Sequence, residues 1–163
     1  MEHRDRWRDV ARSHATTVTG TYDALDVGDT FSTPSREVDE GLVSQLVATG
    51  GYTHPLFVDE AYAAASPFGR SPLPGAALLL LMGGLSEQTG RFDRTTVALV
   101  GYDRVRFRAP ALPGDTVGVE LTVVEKQDRG SRGLMTIEMT CTNGRGDTLV
   151  EAAALYLFER TQP

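Results

Sequence analysis

The sequence points to an α+β domain in which a long antiparallel sheet curls around one buried helix, and three observations carry that expectation. Residues 74–85 form a helical segment with almost no polar face, because Leu78, Leu79, Leu80, Leu81 and Met82 point in every direction of the turn. Such a helix either spans a membrane or is wrapped by protein, and this one falls well short of the ~20 residues that cross a bilayer. Two later segments alternate with period two, as a sheet with one covered face requires. Val117, Val119, Leu121 and Val123 share a face opposite Thr116, Glu120 and Thr122, and Met135, Ile137, Met139 and Cys141 do so opposite Thr136, Glu138 and Thr140. Finally, residues 148–158 are apolar on both faces apart from Glu151, the pattern of a central strand.

A sheet of this kind around one central helix is the hot-dog fold, and the other elements can be read along the chain to fit it. Residues 1–22 are polar and weakly patterned, which suggests a short helix or loose arm packed on the body. Residues 31–38 read as a short strand that leads to Asp39, an N-cap for a helix through about residue 48, which Gly50-Gly51 ends. Residues 52–57 read as irregular chain, since Pro55 disfavours helix at His54. Asp59-Glu60 open a short helix, placing carboxylates where its dipole favours them. Residues 67–74 hold three prolines and a glycine and form a shaped loop. Beyond the buried helix, Gly83-Gly84 or Gly90 supplies the turn out, and the strands begin near Thr95.

A chain of 163 residues fits a single domain, residues 1–163, with a core that needs no staples. The formal charge of −6 argues against a nucleic-acid partner, which would require a basic footprint. Lys126 is the only lysine, a skew given no functional weight. One cysteine, Cys141, excludes a disulfide within the chain and suits a reducing compartment. The first residues mix arginines with Glu2, Asp5 and Asp9 and lack an apolar core, so a cytoplasmic location with no membrane partner is expected. The three histidines, His3, His14 and His54, show no paired spacing, and no metal site or nucleotide cofactor is expected.

Three segments, in order, resemble the MaoC-like acyl-thioester hydratases and dehydratases: DVGDTF near the start, HPLFVDEAYAAASPFGR in the middle, and RVRFRAPALPGDTV before the second long strand. The resemblance covers about residues 25–160, and the middle segment is most similar to mesaconyl-type CoA hydratases. The family's D-x-N-P-x-H motif aligns without gaps on Tyr52, Thr53, His54, Pro55, Leu56 and Phe57. Tyr52 thus stands where the family has its catalytic aspartate, and Phe57 where it has its catalytic histidine. The resemblance implies an acyl-thioester substrate carried on coenzyme A or on the phosphopantetheine of an acyl carrier protein, with no cofactor of the protein's own.

Hydration or dehydration of a thioester needs proton transfer and donors for an enolate-like oxyanion. For the proton, His54 and Tyr52 are the candidate catalysts: an imidazole can act as acid or base near neutrality, and a phenol is a donor there. Each also has an ordinary reading, His54 as a structural residue and Tyr52 as a packed ring. The resemblance places an oxyanion donor at the backbone of Gly75, where the start of the buried helix offers unpaired N–H groups, although Pro74-Gly75 can equally just start the helix. Thr53 and Phe57 join Gly75 as substrate contacts. Asp59 reads as a helix cap, with the attacking carboxylate of hot-dog thioesterases as its rival. Arg104, Arg106 and Arg108 recur at every second residue with Tyr102 extending the row, a stripe that could receive phosphates or simply be a solvated sheet face. Arg106 and Arg70 are the phosphate candidates. The alternatives to an atypical hydratase or dehydratase are a noncatalytic acyl-binding subunit and a divergent cyclase or thioesterase. A homodimer is expected, with the acyl tunnel along its interface, because the strands around residues 135–141 and 148–158 offer more apolar face than one helix covers.

Overall fold

A computed structural model describes residues 22–92 and 95–160, so the expected arm at residues 1–22 lies outside the described residues except for Tyr22. The chain runs β1 (Thr30–Ser32), β2 (Arg36–Val38), α1 (Glu40–Gly50), α2 (Pro55–Val58), α3 (Glu60–Ala65), α4 (Gly75–Glu87), β3 (Thr96–Phe107), β4 (Asp115–Asp128), β5 (Arg132–Asn143) and β6 (Thr148–Glu159). The strands form one antiparallel sheet in the order β1-β4-β5-β6-β3, and β2 also pairs with β4. The long strands present one apolar face, and α4 lies on it, which is the hot-dog arrangement.

Register makes the covered face. Met135, Ile137, Met139 and Cys141 of β5 lie opposite Tyr156, Ala154, Ala152 and Val150 of β6, and all eight are buried. Val119, Leu121 and Val123 of β4 continue the face beside Cys141, Met139 and Ile137. Against it α4 buries Ala77, Leu78, Met82 and Leu85. Met82 is fully enclosed, and cutting it to alanine would cost about 2–5 kcal/mol. As expected, β6 sits between β5 and β3 and is buried on nearly its whole length. Burial also pushes the Cys141 thiol up to about 11, which keeps it protonated and unreactive at neutral pH.

Several local readings change. The strand expected over residues 31–38 is two short strands, because Pro34 interrupts the ladder between β1 and β2. Residues 52–57 are not wholly irregular: Pro55 takes the first position of α2, where its missing N–H costs nothing. The helix continues through Gly83 and Gly84, and Gly90, at φ +66°, makes the turn out. The apolar helix is not wrapped on every side, since Leu80 is 64% exposed. Nor do β5 and β6 present spare apolar surface. In the described chain, the exposed large apolar side chains of the sheet belong to the edge strand β3: Val97, Leu99, Val100 and Phe107.

Irregular pairing along β3 leaves Arg104, Arg106 and Arg108 on the outer face of the sheet but parts Tyr102 from them. Asp103 pairs with Ala153 and Arg106 with Glu151, so β3 carries one extra residue there, and Arg104 takes φ +53° within the bulge. Tyr102 pairs with Ala154 on the helix side of the sheet, and its hydroxyl approaches Gly83 of α4. It therefore does not extend the arginine face. Arg104 instead reaches Glu138 of β5 at 3.2 Å across the intervening strand β6, and Arg108 reaches Glu151 at 2.7 Å.

Candidate functional site

Tyr52 and Phe57 are brought together by helix caps. Asp39 accepts the Leu42 N–H at 2.7 Å to start α1, and Gly51 ends it in the left-handed region at φ +66°. The Tyr52 N–H then donates to the Val47 carbonyl at 3.1 Å, which folds the tyrosine back under α1. Its ring lies on Gly50, where an added Cβ would sit 2.6 Å from a ring carbon, so a side chain at this position would displace it. His54 caps α2, its Nδ1 accepting the Leu56 N–H at 3.1 Å. One turn of α2 carries Phe57 back to Tyr52, and the two rings meet edge to face with centroids 5.1 Å apart. Asp59 accepts the Tyr62 N–H at 3.0 Å and caps α3.

Beside this aromatic pair is a cleft of about 920 Å³. Val43 and Val47 of α1 line it with Tyr52, Phe57, Arg70 and Ser71. The loop wall is pinned on both sides of Ser71: Arg70 Nη1 donates to the Pro113 carbonyl at 3.1 Å, and the Leu73 N–H donates to the Ala111 carbonyl at 2.8 Å. Three carboxylates, Glu40, Asp59 and Glu60, also border the cleft. The cleft thus has an apolar floor, one phenol, one guanidinium and an acidic rim.

The sequence-derived candidates divide over this geometry. Tyr52, Phe57 and Arg70 line the cleft. Thr53 and His54 are exposed neighbours in the same turn and are not part of its lining; the His54 ring rests edge-on against Tyr62 and Phe57, at 5.9 and 6.4 Å. Gly75 opens α4 outside that lining, and the Phe107 ring lies where its Cβ would be, at 2.8 Å. Arg106 lies on the far face of the sheet opposite Glu151, with its Nη1 donating to the Val105 carbonyl at 2.8 Å. Arg70 and Arg106 therefore do not share one phosphate site. Ser71 was not among the expected residues; its only signal was its place in the proline-rich loop. Among the described residues, no group of three or more His, Cys, Asp or Glu could hold a metal ion, and no helix is long and apolar enough to cross a membrane.

Comparison with known proteins places these features in context. The family described as FAS1-like, dehydratase domain region, matches residues 25–152. Protein MaoC of Klebsiella aerogenes is 29% identical over 124 residues, 76% of this chain and 36% of that protein, so the chain spans about a third of the length of that curated relative. Among solved structures, a monoamine oxidase regulatory protein from Archaeoglobus fulgidus superposes with a TM-score of 0.81 at 24% identity, over 90% of this chain and 99% of that one. An unliganded R-hydratase from Pseudomonas aeruginosa does so with a TM-score of 0.66 at 26% identity, over 86% of each chain.

Proposed function

This chain belongs to the FAS1-like dehydratase region family, and on that premise we propose that it binds an acyl thioester in the cleft beside Tyr52 and Phe57 and acts on it as a hydratase or dehydratase with an atypical site. The observation that carries the reading is the position of the cleft. It is lined by Tyr52 and Phe57, to which the family resemblance assigns the acid–base positions, and its floor of Val43, Val47 and Phe57 suits an acyl chain.

Tyr52 is the proton donor in this reading, because its phenol is the protic group that lines the cleft from the motif itself. His54 stands next to it with Nδ1 occupied by the Leu56 N–H, which leaves Nε2 as the nitrogen able to exchange a proton with substrate or water. Gly75 lies outside the cleft lining, so in this reading the thioester end extends beyond the lining to the start of α4, whose unpaired N–H groups support the carbonyl oxygen. Arg70 receives the phosphates of coenzyme A or of a carrier protein. The protein works as a homodimer that covers β3 and Leu80, since a long edge strand with exposed Val97, Leu99 and Val100 invites pairing with a second copy.

A second reading is favoured by one observation. Tyr52 and Phe57 fill the dyad positions with rings packed on each other, an arrangement that suits a noncatalytic acyl-binding subunit. Hydration of a short enoyl-pantetheine by the parent and by Tyr52→Phe separates the two. Loss of the hydroxyl should lower turnover by about 10²-fold or more if the phenol moves the proton. Equal turnover removes Tyr52 from that role, and binding without turnover in both proteins supports the noncatalytic subunit.

A further inference from the structure

His54 holds the turn that carries Phe57 to Tyr52, and it can do so in only one state of charge. Its Nδ1 accepts the Leu56 N–H at 3.1 Å. That bond needs a lone pair on Nδ1, whereas an imidazolium carries N–H on both nitrogens and accepts nothing. Protonation therefore replaces the cap with two donors that face each other.

Little else secures α2. It is a single turn with no buried residue, and so short a helix does not hold itself. Its other ties include the Phe57 N–H on the His54 carbonyl and the Asp59 N–H on the Pro55 carbonyl, both at 2.9 Å, and the contact of the Phe57 ring with Tyr52. No neighbour compensates for a charge on the imidazole. Phe57 of α2 and Tyr62 of α3 face it edge-on, one apolar and the other a phenol. Asp59, the next carboxylate along the chain, is engaged with the Tyr62 N–H as the cap of α3. Among the described residues, no carboxylate comes within 4.0 Å of the imidazole nitrogens.

We propose that His54 is a pH-sensitive latch on the cleft. With the ring neutral, α2 is capped and Phe57 is held against Tyr52 in the cleft wall; the imidazolium releases the turn, and the wall loosens with it. An imidazole changes charge between about pH 5 and pH 8. The capped form binds fewer protons than the released form, so the latch is closed at the upper end of that range and opens as the pH falls. This role lies apart from any proton transfer to a substrate, and the closing of the turn does not depend on what the cleft binds.

The test follows the parent and His54→Asn from about pH 8 to about pH 5.5. The asparagine side chain caps a helix without an imidazole to titrate. NMR reports the Leu56 amide shift and the Overhauser contact between the Tyr52 and Phe57 rings, and calorimetry gives the affinity for hexanoyl-pantetheine, each protein being compared only with itself across pH. In the parent the Leu56 amide should titrate, the ring contact should weaken, and the affinity should fall about fivefold, the fold-change that a lost cap represents. In His54→Asn all three should hold steady. His3, His14 and the carboxylates around the cleft are common to both proteins, so the difference between them belongs to His54. A ring contact that survives acidification in the parent, or that His54→Asn loses to the same extent, overturns the proposal, as does an affinity that stays constant while the contact is lost. If the contact follows pH in the parent alone and the probe binds at neither pH, the latch stands and the acyl reading fails.

Discussion

The rings of Tyr52 and Phe57 meet edge to face at 5.1 Å, so the two positions to which the family resemblance assigns acid–base groups are adjacent and carry an aromatic pair. The packing contributes about 0.5–1.5 kcal/mol beyond burial. Restoring the polar groups with Tyr52→Asp and Phe57→His should therefore raise hydration of a simple enoyl thioester, by up to the ~10²–10⁴-fold that positioned acid–base groups supply, with a lower melting temperature from the lost ring contact. Steady-state kinetics of the double variant against the parent checks this.

His54 combines a cap and an imidazole, and substitution can separate them. Asparagine is a strong N-cap, whereas alanine is not, and losing a cap costs about 1 kcal/mol. His54→Asn should keep the melting temperature and His54→Ala should lower it. If the imidazole also moves protons, both variants lose turnover alike; if it only caps α2 through Leu56, activity follows stability. Thermal melts and turnover measured on the same two proteins give the answer.

Gly75 has no room for a side chain, because the Phe107 ring lies 2.8 Å from its would-be Cβ. Gly75→Ala must push that ring aside and should destabilise the fold by about 1–3 kcal/mol, as overpacking does. Phe107 is 54% exposed, so it can be removed with little loss of core, and the Gly75→Ala/Phe107→Ala pair should recover much of the deficit. Chemical denaturation of the four proteins in this cycle measures the coupling directly.

Much of this fold was legible because its signals are local or periodic. Alternation placed Val117 to one side of β4 and Met135 to one side of β5, the near-absence of polar residues in residues 148–158 marked the central strand, and Asp39, Gly51 and Asp59 announced their caps. The reading was weaker where tertiary geometry overrides spacing. With a bulge at Arg104, Tyr102 faces α4 while Arg104, Arg106 and Arg108 share the outer face, so the tyrosine does not extend the arginine row. In the candidate site, the motif singled out Tyr52 and Phe57, which line the cleft. It could not show that His54 spends its Nδ1 on a cap or that Ser71 would be orphaned, since both depend on how the chain turns at Pro55 and Pro72.

The edge strand gives an assembly prediction. Val100 on β3 is 59% exposed and Leu80 on α4 is 64% exposed, an apolar surface that a second copy would cover. Light scattering at micromolar concentration should return about twice the 17.6 kDa chain mass. Val100→Glu and Leu80→Glu should shift the particle toward the single chain without unfolding it, as judged by circular dichroism. A parent of 17.6 kDa would count against the dimer.

The central claim is that the cleft beside Tyr52 is the acyl-thioester site, and titration of hexanoyl-pantetheine into Ala48→Trp tests it most directly. Ala48 lines the cleft from an exposed position on α1, so a tryptophan there fills the space and spares the core. Saturable binding to the parent is expected, with at least a tenfold weaker affinity in Ala48→Trp at an unchanged melting temperature. Equal affinity in the two proteins, or no binding to the parent, would contradict it.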